Sequence, residues 1–132
     1  MKHEIAEALI ARLASGKDNK GRNKLTSIAP NGVVTDCCLG VLCKLAIDLG
    51  LKVKVEIKPS NEADPEGVKD VYYDGECFYL PESVRNWAGM RSRQGSWLNN
   101  GNSEIHSLVR INDNNDSFGP VIAAIKEHKS NL

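Results

Sequence analysis

The sequence has no excess of either charge, no long apolar run and no paired-cysteine motif, and each gap removes a class of protein. Seventeen lysines and arginines balance seventeen aspartates and glutamates over 132 residues. No general electrostatic pull toward nucleic acid or an anionic membrane is therefore expected, although a local basic patch is compatible with the balance. No apolar run approaches the roughly 20 residues of a membrane span, and Met1-Lys2-His3-Glu4 places charges where a signal peptide needs an unbroken apolar stretch. The expected location is a cytoplasm. Four cysteines are present, but Cys37, Cys38 and Cys43 share one apolar, helix-like segment, where Cβ directions suit disulfides badly. Buried thiols in a reducing compartment are the expectation. With no Cys-x-x-Cys pair, neither a metal site nor a cofactor is expected. Internal repeats and low-complexity tracts are also missing.

What is there is a chain with 41% hydrophobic and 26% charged residues, close to the average of globular domains. Its length suits a single domain over 1–132 with one core. Ile5, Ala8, Leu9 and Leu13 recur at helical spacing over 3–14, with Gly16 as the stop. Lys17–Lys24 has no apolar residue and four cations and reads as an exposed loop. Leu25–Ala29 and Val33–Thr35 flank Pro30-Asn31-Gly32, a hairpin signal.

Asp36 is placed to N-cap a helix over 37–49, ended by Gly50. That helix is apolar around so much of its circumference that it should be the centre of the core, and Gly40 within it should allow another backbone to approach. Val53–Ile57 alternates with period two, as a half-buried strand does. Val71–Tyr73 and Cys77–Leu80 surround Asp74-Gly75, a second hairpin signal. Pro81 opens a short helix over 81–88 that Gly89 closes, with Val84 and Trp87 inward. Residues 90–103 read as a long loop, 104–111 are ambiguous, and Ser117 should cap a last helix running to about Lys129. The predicted fold class is α+β: a small antiparallel sheet packed on a central apolar helix, with N- and C-terminal helices.

Three segments, Asp36–Ala46, Tyr79–Gly89 and Leu108–Phe118, carry the patterns Cys-Cys-Leu-Gly-Val-Leu-Cys, Leu-Pro-x-x-Val-x-x-Trp-Ala-Gly and Asn-Asp followed by Ser-Phe. Together with Gly21-Arg22, they resemble a family of small proteins of tailed bacteriophages and prophages. Ile111 stands where that family usually has leucine before Asn-Asp. The resemblance covers most of the chain in order. It implies a phage or prophage source and a bacterial host cytoplasm. It carries over no catalytic residue, and offers only the expectation that a small accessory phage protein binds and neutralises something of the host, including its defences.

Several constellations compete. Cys37 and Cys38 at a helix N-terminus suggest an activated thiol. Against this, His3, His106 and His128 form no recognisable cysteine-hydrolase motif, and Asp36 opposes a thiolate. Asp113 and Asp116 lie in a stretch resembling part of a calcium loop but lacking its Gly and terminal Glu, so a turn-and-cap role is favoured. Arg22, Tyr73, Arg91, Arg93, Trp97, Asn112 and Asp113 are the candidate ligand-binding set, because arginine forks suit phosphate and aromatic faces stack on bases. Trp97, in a polar glycine-rich stretch, should either fold back as a plug or wait for a partner.

The leading expectation is a non-enzymatic binding protein that sequesters a small nucleotide-type immune signal. The alternative is an inhibitor docking on a host protein, and the third is a cysteine-dependent hydrolase. Membrane is not an expected partner, nucleic acid is disfavoured, and a homo-oligomer is allowed. Sequestration requires Arg22, Arg91 or Arg93 buried around one concave pocket. Docking requires an exposed apolar patch without a deep polar cavity.

Overall fold

Helical spacing near the N-terminus does produce a helix, α1 (His3–Ala14), which buries Ile5, Ala6, Leu9 and Leu13. In the computed structural model, which describes residues 1–98 and 105–132, it packs against α2 (Cys38–Asp48) and α5 (Gly119–His128). The central position of α2 follows from its composition: eight of its residues, Cys38 to Cys43 together with Leu45 and Ala46, are buried. Around it lie α1, α3 (Glu82–Ala88) and α4 (Leu108–Asp113), all facing one continuous apolar core.

The Pro30-Asn31-Gly32 signal closes a hairpin of β1 (Thr26–Ile28) and β2 (Val34–Asp36). With β3 (Val55–Pro59) and β4 (Lys69–Tyr73) it forms a four-stranded antiparallel sheet in the order β2-β1-β4-β3. Gly40 allows the hairpin to approach α2. A Cβ built there would stand 1.8 Å from the Leu25 carbonyl oxygen.

Asp36 does not cap α2. It ends β2 with its side chain turned inward, accepting from the Thr26 hydroxyl at 2.5 Å and from Lys44 Nζ at 2.7 Å. Thr26 in turn accepts from the Tyr73 hydroxyl at 2.8 Å, a bond inside the core. Losing the ammonium of this network through Lys44→Met leaves a buried carboxylate with only a hydroxyl donor. Because the Lys44 side chain retains 29% exposure, the expected loss is about 2 kcal/mol, below that of breaking a fully buried pair. Urea denaturation of Lys44→Met, Asp36→Asn and the double variant measures it, and the double variant should recover part of the loss.

Loop 17–24 is pinned rather than free. Asp18 pairs with Arg12 at 2.7 Å, and Asn19, Lys20 and Gly21 run along Asp36, with Gly21 N donating to the Asp36 carbonyl at 2.7 Å. The open edge of β2 is what it satisfies. The second predicted hairpin is also only half formed. Asp74 and Gly75 adopt the positive φ of a tight turn, but pairing stops at Tyr73 and Glu76. Beyond it β4 already has β3 on one side and β1 on the other. Residues 77–80 therefore leave the sheet, burying Cys77 and Leu80 and exposing Phe78 and Tyr79. Val55 and Ile57 of the alternating β3 face the same side as Tyr73 and Val71, yet lie at the sheet edge, 48% and 57% exposed.

Pro81 and Gly89 bracket α3 as expected, Gly89 at φ 68°. Within 90–103, read as a long loop, β5 (Ser96–Leu98) forms and pairs with β6 (Ile105–Ser107) of the ambiguous 104–111, while 99–104 lie outside the described residues. Trp97 folds back as a plug, stacked between His106 and His128 with ring centroids 5.8 and 4.5 Å away. The last helix begins two residues after Ser117, with Phe118 at the N-cap position and Pro120 in its first turn.

Candidate functional site

Where α2 begins, three separate stretches of chain meet on one side chain. Cys37 holds the N-cap position in extended conformation but closes no cap hydrogen bond. The cap comes from elsewhere: Asn112 Oδ1, on α4, accepts from Cys38 N at 3.1 Å. Asn112 Nδ2 donates to the Gly21 carbonyl at 3.0 Å and to Asp113 Oδ1 at 3.1 Å, and that oxygen also accepts from Asn23 N. Arg22 reaches Asp116 in an exposed ion pair. Loop 19–24, the α2 N-terminus and the α4 C-terminus are thus clasped together, with Asn112 fully buried.

The predicted binding residues separate accordingly. Arg22, Asn112 and Asp113 come together, but Asn112 is a structural clasp with its amide committed to the backbone. Tyr73 is buried, bonded to Thr26. Arg93 is held by Glu76 at 2.6 Å and by the Leu80 carbonyl at 2.8 Å. Arg91 and Trp97 line a different hollow beside Asn131. Among the described residues, Arg22, Arg91 and Arg93 thus sit at three different places in the fold. Of the loop cations, Lys24 pairs with Asp70 as Arg22 does with Asp116, which spends the charge that phosphate binding needs.

A groove runs past Asp113 instead. Two adjoining cavities of about 360 and 240 Å³ share Tyr79, Val109 and Asp113 as walls. Gln94, Ser107, Arg110 and Asn114 close the larger one; Asn23, Cys37 and Phe78 close the smaller. Phe78 and Tyr79 are consecutive aromatics, 51% and 41% exposed, and Lys24 Nζ sits 4.1 Å from the Phe78 ring centroid. The sequence reading missed this groove, having assigned 77–80 to a strand. Cys77-Phe78-Tyr79-Leu80 is apolar or aromatic throughout, so no alternation in the sequence spoke against a strand.

The groove holds no activated nucleophile. The Ser107 hydroxyl accepts from Arg110 N to cap α4. Burial pushes the Cys37 thiol up to about 11, outweighing the Leu39 and Gly40 amides that favour the thiolate, and Asp113 and Asp36 push the same way. Burial raises Cys38 and Cys43 as well. All four cysteines are free and buried. Among the described residues no group of three His, Cys, Asp or Glu side chains could hold a metal ion, and no helix is long and apolar enough to cross a membrane.

The raised thiols set an alkaline limit on stability. A group protonated more firmly in the folded state stabilises fully below its unfolded pKa, near 9.0 for cysteine, and loses that contribution as pH rises through the folded value. Stability should therefore fall between pH 9 and 11, by about 1.4 kcal/mol per pH unit for Cys37 alone. Urea denaturation across that range measures it, and Cys37→Ala should flatten the slope.

Residues 1–129 match a family model described as Domain of unknown function (DUF8296). No curated protein and no solved structure matches the chain.

Proposed function

This chain belongs to the DUF8296 family, whose membership brings no activity with it, and we propose that it is a non-enzymatic binding protein docking on a partner protein through the Phe78–Tyr79 groove. The observation that carries this reading is the exposed aromatic pair itself, beside Val109 on a shallow groove rimmed by Gln94, Arg110, Asp113 and Asn114. Aromatic anchors with a polar rim are the anatomy of a protein interface. The partner inserts an apolar side chain between Phe78, Tyr79 and Val109, and its polar flanks meet the amides. The resemblance to tailed-phage proteins supports a bacterial host as the source of that partner, with interference in host defence as the role.

Sequestration of a small nucleotide-type signal stays as the second reading, favoured by the size of the larger cavity, about 360 Å³, which suits a small ligand. One experiment separates the two. Wild-type protein and the Phe78→Ala/Tyr79→Ala variant are each passed over host lysate and, separately, melted with a panel of cyclic nucleotides and ADP-ribose derivatives. Docking predicts one stoichiometric protein held by wild type and lost from the variant. A nucleotide that stabilises wild type by about 2.7 kcal/mol at hundredfold excess over its dissociation constant, with no protein retained, overturns docking in favour of sequestration.

A further inference from the structure

The strand β3 is the last in the order β2-β1-β4-β3, so one side of it has no partner strand among the described residues. Its register on β4 and the flanking bonds decide which groups face outward. The Lys54 carbonyl accepts from Asp74 N, and Ser60 N donates to the Val68 carbonyl, so these two turn toward β4. Tyr73, opposite Val55, spends its own backbone groups on Glu76. By strand alternation Glu56 and Lys58 also bond inward, while Val55, Ile57 and Pro59 present their backbone to the open edge. Pro59 has no N–H to leave unpaired there.

Lysine and proline on an edge ordinarily discourage pairing. Here the order Lys54-Val55-Glu56-Ile57-Lys58-Pro59 does so for every antiparallel self-pairing but one among those that oppose at least three residues of β3. Centring the pair on Glu56 opposes Glu56 to itself and Lys54 to Lys58, and centring on Lys58 opposes two lysines. Centring on Ile57 places Glu56 opposite Lys58 of the second copy and Lys58 opposite its Glu56. In that register each Ile57 N–H meets the other Ile57 carbonyl and each Val55 N–H meets a Pro59 carbonyl, while the Val55 carbonyl, which proline cannot serve, stays with solvent. On the other face the exposed Val55 and Ile57 cover one another across the axis. Within one chain Glu56 makes exposed ion pairs, 3.3 Å to Lys54 and 3.8 Å to Lys58, of the weak surface kind that leaves it able to pair across strands.

We propose that β3 is the interface of a symmetric homodimer, joined antiparallel about Ile57 into one continuous eight-stranded sheet. The surface lies on the sheet edge and does not depend on what fills the Phe78–Tyr79 groove.

Sedimentation equilibrium of the full chain at micromolar concentration tests it, with circular dichroism confirming the fold of each variant. Wild type should dimerise. Glu56→Lys, which sets lysine against lysine at both crossings, should weaken the dimer by about tenfold or more. Adding Lys58→Glu to Glu56→Lys restores opposite charges and should restore the dimer. A wild-type protein that stays monomeric, or a dimer indifferent to both variants, overturns the proposal.

Discussion

Gly40→Ala is expected to be the most damaging single substitution in this protein, by on the order of 4 kcal/mol or more. In an ordinary helix the change would stabilise by about 1 kcal/mol, because alanine is the better helix former. The sign reverses here because the new methyl would sit 1.8 Å from the Leu25 carbonyl oxygen and 2.6 Å from its carbon. Both are backbone atoms, so no rotamer change relieves the clash. The same carbonyl accepts from Cys37 N at 3.0 Å, so pushing β1 away from α2 also breaks a bond at the helix start. Thermal or urea denaturation beside a Gly119→Ala control tests this, since a Cβ there meets only an ordinary contact at 3.5 Å. A Gly40→Ala protein that melts within a few degrees of wild type would show that α2 and the hairpin are not so close.

Asn112→Ala should come second, at about 3–4 kcal/mol. The loss combines a helix cap with buried Cys38 N–H and Gly21 carbonyl groups left without partners. Asn112→Asp discriminates a clasp from mere packing. It keeps the volume and the acceptor for Cys38 N, but removes the donor to Gly21 and sets a second carboxylate against Asp113. Its destabilisation should therefore match or exceed that of alanine at neutral pH and ease in acid, as the introduced carboxyl protonates. A near-wild-type Asn112→Asp protein, followed by urea denaturation at pH 7 and pH 4, would refute the clasp. Because loop 19–24 is tied to α4 through this residue, loss of the amide should also disturb the Asn23 and Asp113 wall of the groove.

Tying Asn112 to α2 is the kind of fact that no local pattern reveals. The residue lies 74 positions from the amide it caps. Sequence reasoning placed the nearest acid, Asp36, in that role because N-capping is usually local. Asp36 was unavailable because Thr26 and Lys44, 10 and 8 positions away, draw its carboxylate into the core. Phe78 and Tyr79 were hidden in the same way. An Asp-Gly turn followed by four mostly apolar residues is a sound hairpin signal, and it failed because β1 and β3 flank β4. The candidate arginines scattered for a simpler reason, since a side chain's nearest acid, Glu76 for Arg93 or Asp116 for Arg22, depends on chain crossings far apart in sequence.

What the sequence by itself determined was local: α1 and its stop at Gly16, the apolar α2 at the centre, the Pro30-Asn31-Gly32 hairpin, α3 between Pro81 and Gly89, and the α+β class. Each rests on periodicity, or on a φ that only proline, glycine or a turn residue adopts cheaply, and those forces act within a few residues. The tertiary structure alone decided the cap on α2, the path of residues 77–80, the stacking of Trp97 and the groove beside Asp113. Those depend on which buried polar group finds which partner and which sheet edge is already taken, and both are settled only when distant segments meet.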